Sequence, residues 1–367
     1  MKLTVFFLLI ALSVTTAFAE PKKKVAMVFD GGGFKTAMFL GMLKGAEETG
    51  HTPDIIIGTC GGSIPAAIAH SIDGSEKQLE FVQSKPFYYL LRSIEFTNYS
   101  AVGKIISLAK NFYTKYKWQR MIPDIFHDYL MNVPNSFNLK EISKNFTPSK
   151  YRTVIVASRI LYNEENLGGK RDKGENLFQE SIFTDEVTAK ELNGFIAPNS
   201  LYKNSSVASK VDFITDANLD EAARASISDP FYMAPGNYKG ERYVTGAVDL
   251  YPIELAKKIA DEIIFVYPSK FGVVEEGAIF ATFNFSHNKR HRQVFHQKID
   301  YLIDSTDFPP ELELEPKLNL LAWKINSRVP QTYEEYREIT RLQFEFGYKR
   351  ALDASNNANA KDYEFNE

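Results

Sequence analysis

Val25-Ala-Met-Val-Phe29, then Asp30-Gly-Gly-Gly-Phe-Lys35, then the apolar run Thr36 to Ala46, then Asp54-Ile-Ile-Ile57 and Gly58-Thr-Cys-Gly-Gly62 follow one another early in the chain. The first apolar run is short and stops at three glycines, which reads as a strand entering a tight loop. Thr36 to Ala46 is long enough for a buried helix, ended by Glu47, Glu48 and Gly50. Asp54 to Ile57 reads as a second buried strand, and Pro65 stands near the start of the helix after it, where a missing N–H costs nothing. The unit is βαβα, so the spacing predicts an α/β fold with a parallel sheet.

Each turn carries chemistry. Gly58-Thr59-Cys60-Gly61-Gly62 has the Gly-x-nucleophile-x-Gly spacing of a nucleophile elbow, in which Cys60 takes the strained central position and Gly58 and Gly62 leave room around it. Gly31, Gly32 and Gly33 line up backbone N–H groups at a helix N-terminus, the arrangement that holds an oxyanion or a phosphate. The Gly61 N–H is a further donor, and Lys35 is placed to hold the loop by charge or hydrogen bonding.

Both turns, their order and their spacing resemble the patatin-like phospholipase family, whose members carry Asp/Gly-Gly-Gly-x-Arg/Lys-Gly followed by Gly-Thr-Ser-x-Gly. The resemblance spans roughly Lys24 to Pro268. It implies a three-layer sandwich with a mostly parallel central sheet between helices, and a Ser–Asp dyad that hydrolyses lipid acyl esters or phospholipids. Cys60 stands at the serine position. The family's downstream Asp-Gly-Gly or Asp-Gly-Ala resembles Thr245-Gly-Ala here, so Thr245 stands at the aspartate position, preceded by a family-like stretch from Ala222 to Pro230.

Two readings follow. A thiol at a helix N-terminus ionises more readily than a hydroxyl and needs less help from a base. Cys60 would then be the nucleophile of a hydrolase or acyl transferase, with Asp249 the most local substitute base and His70 and Asp229 more remote. Ser63 falls beyond the elbow and is no nucleophile. The other reading is a non-catalytic lipid- or acyl-binding pseudoenzyme that kept the pocket and lost turnover. Nucleotide binding is disfavoured, since no Gly-x-x-x-x-Gly-Lys-Ser/Thr run exists and Asp30 adjoins the loop.

The rest of the chain frames this unit. Its 43 basic and 46 acidic residues nearly balance, which gives no general attraction to nucleic acid. Nothing calls for a cofactor or a metal. Met1-Lys2, the apolar run Leu3 to Val14 and Ala17-Phe18-Ala19 read as a signal peptide over 1–19, so export to a periplasm or the exterior is expected. The single cysteine rules out an internal disulfide. The patatin-like unit is expected over 24–268, a helical C-terminal extension over 269–354 and a disordered tail over 355–367.

Further strands are expected at Arg152 to Ser158, Val211 to Ile214 and Glu262 to Val266, giving five or six in all. Val102 to Tyr116 has an amphipathic helical pattern, read as packing inward, with an acyl cap or peripheral membrane contact as its functional counterpart. Glu164 to Glu175 reads as an inserted loop, a candidate lid. His287-Asn-Lys-Arg-His-Arg292 reads as a solvated helix face, against the alternative that Arg290 and Arg292 grip a phosphate. Thr332 and Glu335 form a capping box, opening a helix whose stripe is Tyr333, Tyr336, Ile339, Leu342 and Phe346.

Overall fold

The computed structural model describes residues 23–96, 103, 106, 121–314, 316–319 and 324–357. The leader at 1–19, most of the amphipathic stretch at 102–116 and residues 358–367 of the expected tail lie outside the described residues, while Ser355 to Asn357, expected to be disordered, are helical. The opening unit is β1 (Val25–Phe29), α1 (Thr36–Glu48), β2 (Ile55–Thr59) and α2 (Ser63–Ser71). Every residue of β1 and β2 is buried, as expected for parallel strands covered on both faces.

The chain continues through α3 (Ser75–Val82), α4 (Lys85–Arg92), β3 (Arg152–Ile160), β4 (Phe178–Phe183), α5 (Glu186–Glu191), β5 (Val207–Ile214) and α6 (Leu219–Ile227). Then come β6 (Gly236–Tyr238), β7 (Glu241–Val244), α7 (Ile253–Ile259), β8 (Glu262–Tyr267), α8 (Val273–Phe283), α9 (His287–Phe295), β9 (Tyr301–Asp304) and α10 (Tyr333–Asn357). Two small two-stranded sheets lie apart from these.

Among the described residues the central sheet has nine strands, in the order β9-β8-β1-β2-β3-β4-β5, with β7 pairing both β3 and β6. From β9 to β3 all neighbours are parallel; β4 then runs antiparallel to β3, and β5 parallel to β4. This is the expected mostly parallel α/β sandwich, with more strands than the five or six anticipated. The extra ones carry little periodic signal: β6, β7 and β9 are three or four residues long, and β4 reads Phe-Gln-Glu-Ser-Ile-Phe.

Residues 269–354 are not a helical extension throughout. β9 pairs with β8 and extends the sheet, and the Ile263 N–H donates to Asp300 Oδ2 at 3.0 Å, fixing the strand's entry. α10 lies against α1 at backbone distance. A Cβ on Gly347 would stand 1.9 Å from the Met38 carbonyl oxygen, and one on Gly41 would stand 2.0 Å from the Phe344 carbonyl oxygen. That approach selects the inward face of α10, which centres on Tyr336, Thr340, Gln343, Phe344, Gly347 and Ala351. Ile339, Leu342 and Phe346 flank it, half-buried. The polar members donate to backbone: Tyr336 Oη to the Val82 carbonyl at 2.6 Å and Gln343 Nε2 to the Leu312 carbonyl at 2.7 Å, while among the described residues Gln343 Oε1 has no partner.

Because neither helix can retreat without opening the core, Gly347→Ala should lower stability by about 1–3 kcal/mol, the usual cost of overpacking. Urea unfolding measures it, and an unchanged midpoint would show that the two helices are not in backbone contact.

Candidate active site

β2 runs beside β3 as far as the Thr59–Val156 pair, where it stops. Cys60 then adopts φ +49°, a left-handed conformation that costs a non-glycine residue about 1–2 kcal/mol. The chain turns through Cys60–Gly62 into α2. The edge of β3 that β2 leaves is taken up by β7, which pairs with Ser158 and Arg159. That substitution carries the 245–249 segment directly beneath the elbow.

Hydrogen bonds and close glycine contacts hold the strained turn. The Cys60 N–H donates to Ser226 Oγ at 2.9 Å, whose hydroxyl donates to the Val156 carbonyl at 2.6 Å. Thr59 Oγ1 donates to the Gly246 carbonyl at 2.7 Å, and Ser63 Oγ donates to the Cys60 carbonyl at 2.6 Å. Ser63 thus closes the first turn of α2 and is no nucleophile. Gly246 needs its missing side chain, since a Cβ would stand 2.3 Å from Thr59 Oγ1 and 2.5 Å from the Cys60 nitrogen.

Beside Cys60 lies Asp229. Cys60 Sγ is 3.3 Å from Asp229 Oδ2 and 3.4 Å from Oδ1, so the thiol donates into a carboxylate. Thr245 Oγ1 donates to Asp229 Oδ1 and accepts from the Ala247 N–H at 3.0 Å. Burial pushes the Asp229 carboxyl above its usual pKa, while the hydrogen bonds from Thr245 and Cys60 draw it back. The turn bearing Asp229 is pinned by buried Arg224, whose guanidinium donates to the carbonyls of Val133, Pro134 and Ala234.

Sequence reasoning ranked Asp229 behind Asp249, and the structure reverses that order. Asp249 faces away from the thiol. Its Oδ1 accepts from Asn199 Nδ2 at 3.2 Å and pairs with Arg290 at 3.4 Å, and burial lifts its pKa to about 6. His70 points toward Thr153 at the other end of the sheet, its Nδ1 3.1 Å from the hydroxyl. The signal for Asp229 was its place just before Pro230 in the stretch that ends α6.

The glycine loop meets the elbow. A Cβ on Gly31 would lie 3.4 Å from Cys60 Cβ, and one on Gly61 would lie 2.5 Å from the Gly33 carbonyl oxygen. Gly31, Gly32 and Gly33 line one cavity together with Cys60 and Asp229, and among the described residues no acceptor is paired with their N–H groups. The volume is about 480 Å³. Lys35 lines it too, with its ammonium 4.7 Å over the Phe308 ring. Asp30 is 1% exposed, and among the described residues neither of its carboxyl oxygens has a hydrogen-bond partner. Burial pushes its pKa well above the usual value, against the opposing charge of Lys35.

Two peripheral readings change. The basic helix α9 is not a solvated face: His287, Arg290 and His291 are buried at helical spacing, leaving Lys289 and Arg292 outside. Arg290 is held by Asp249 and Glu254, and His287 Nε2 donates to the Ala247 carbonyl at 2.5 Å. The candidate lid at Glu164 to Glu175 does not border the Cys60 cavity. Glu164 and Glu165 line a separate hollow with Tyr162 and Arg242.

The sequence profile of patatin-like phospholipases matches residues 27–257. The chain belongs to that family. Its members are lipid acyl hydrolases, so lipid is the substrate class that comes with membership. No curated protein matches the chain. Among solved structures, the crystal structure of VipD from Legionella pneumophila aligns with a TM-score of 0.34 at 10% identity, covering 92% of this chain and 67% of that one. In this patatin-like chain, Thr245 holds a carboxylate that comes from the 229 turn.

Asp30 generates a pH test. With its folded-state pKa raised, its proton-bound form contributes stability that is full below the ordinary carboxylate pKa and is lost as pH rises toward the folded value. The Asp30→Asn variant, which cannot ionise, should gain on the wild type as pH goes from about 4 to about 8, by up to about 1.4 kcal/mol per pH unit. Thermal unfolding across that range checks it; parallel curves would mean that Asp30 stays ionised.

Proposed function

We propose that this protein is a lipid acyl hydrolase in which Cys60 is the nucleophile and Asp229 its base. The observation that carries the proposal is the Cys60 Sγ–Asp229 contact of 3.3 Å at the head of a cavity lined by the glycine loop. In acylation, Asp229 accepts the thiol proton as sulfur attacks the ester carbonyl carbon. The N–H groups of Gly31, Gly32 and Gly33 stabilise the oxyanion. The C–S bond forms, the ester C–O bond breaks, and Asp229 passes its proton to the departing alkoxide, which leaves as the alcohol and returns Asp229 to its carboxylate form.

In deacylation, water gives a proton to Asp229 and attacks the thioester. The C–S bond breaks, the fatty acid departs, and the proton returns to sulfur. The buried environment that raises the Asp229 pKa makes its carboxylate a stronger base for water than an ordinary aspartate. An alcohol entering in place of water would receive the acyl group by the same steps. A pseudoenzyme has no need of a buried carboxylate against its thiol, so the binding-only reading is the weaker one. The leader-like 1–19 segment supports action outside the cytoplasm as part of this proposal.

Cys60→Ala should abolish hydrolysis of an activated medium-chain ester and the acyl-sized mass increment on the protein. Asp229→Asn should cut kcat/KM by about 10²–10⁴-fold, the usual share of a general base. Thr245 is a positioning residue. Thr245→Val removes a hydrogen bond that favours ionised Asp229, so the rising limb of the kcat/KM pH profile should move to higher pH. A variant lacking the thiol that still turns over, or an Asp229→Asn variant at wild-type rate, would overturn the assignment.

A further inference from the structure

The cavity is built from two parts of the chain. The family-matched region supplies the reacting groups and the loops around them. The opposite wall comes from residues beyond 257: Pro268, Phe271, Val274, Ala278, Ile279 and Pro316. Val274 and Ala278 are one helical turn apart on α8 and Ile279 adjoins them, an apolar strip over the space in front of Cys60 that is bordered by the polar lining residues Ser269, Glu275 and Glu313.

That wall is fixed rather than loose. α8 ends at Asn284 in a left-handed cap, and Glu276 on it accepts from Ser286 Oγ at 2.6 Å and from the Asn288 N–H at 3.2 Å. Asn288 also exchanges hydrogen bonds with the Phe271 backbone at 2.9 and 3.0 Å. His287 ties the same corner to the Ala247 carbonyl, two residues from Thr245. A wall braced on the catalytic turn keeps a set distance from Cys60.

A space of about 480 Å³ holds roughly sixteen water-sized volumes of about 30 Å³, each close to the size of a methylene. That is room for about the length of one long acyl chain. Ala278, 1% exposed, backs the wall between the half-buried Val274 and Ile279 and has the smallest side chain of the three, so a larger one at 278 would be pushed into the space.

We propose that α8 sets the acyl-chain length this protein accepts, with Ala278 as the gauge and Val274 and Ile279 as its flanks. The inference rests on Cys60 being the acylated residue. It assigns chain selection to a segment outside the family match, so the chemistry and the choice of chain are carried by separate parts of the sequence.

The test uses the full chain and p-nitrophenyl esters from butanoyl to octadecanoyl. Ala278→Phe should lower the ratio of kcat/KM for the long esters to that for butanoyl by at least about tenfold. Ile279→Ala, which opens space instead of filling it, should move the optimum to longer chains and covers the case in which Ala278→Phe fails to fold. A length profile unchanged in both folded variants, or rates that fall equally for every ester, would overturn the proposal. If the wild type turns over no ester, the hydrolase reading fails separately. The gauge is then read by displacing a fluorescent fatty acid with saturated acids of increasing length, where Ala278→Phe should lose only the long ones, and equal affinities would overturn it.

Discussion

The structure depends on β2 leaving the sheet at Cys60 while β3 continues. A strand that stops while its neighbour runs on leaves backbone groups without ladder partners, and these must be paired if buried. β7 pairs with the exposed length of β3, and Ser158 Oγ donates to the Val244 carbonyl at 2.9 Å to seat it. Gly246 then passes under the Cys60 nitrogen at a distance no side chain allows. The left-handed strain at Cys60 is therefore locked by packing from below, and the same packing brings Thr245 to Asp229 beside Cys60.

Buried acids brace the segment beneath the elbow. Asp249, Glu180 and Glu254 gather around one guanidinium, Arg290, and burial raises the pKa of Glu180 and Asp249. Burial lowers the His287 pKa to about 4, so its ring is neutral and donates to a carbonyl instead of adding charge. Arg290 and His287 lie three residues apart on one inward face of α9, and both reach the 247–249 segment. The turn that positions Thr245 thus rests on a helix whose sequence looks like a surface.

That explains which parts of the protein were legible. β1, β2, α1, α2 and the two turns follow from short-range patterns, because glycine needs and continuous apolar runs are local properties. Asp229 was not legible as the base, since nothing within its own segment shows that 169 residues of separation close to a 3.3 Å contact. The run from His287 to Arg292 misleads because charge defaults to solvent unless paired, and its partners Asp249 and Glu254 come from another segment. The stripe of α10 misleads for a different reason: glycine, which carries no hydrophobic signal, decides which face can approach α1.

Under the proposed reaction, the cysteine at 60 and the threonine at 245 belong together physically. Threonine at 245 would strand a serine nucleophile only if no other carboxylate reached it, and Asp229 does reach it. From its buried site Asp229 is harder to ionise than an exposed aspartate, and once ionised it is the stronger base. A thiol asks less of its base during acylation, because sulfur gives up its proton more readily. In the proposed reaction the same raised pKa would serve the harder step, in which water is deprotonated beside the thioester. A cysteine nucleophile and a displaced, desolvated carboxylate are consistent as a pair, and each is easier to understand with the other present.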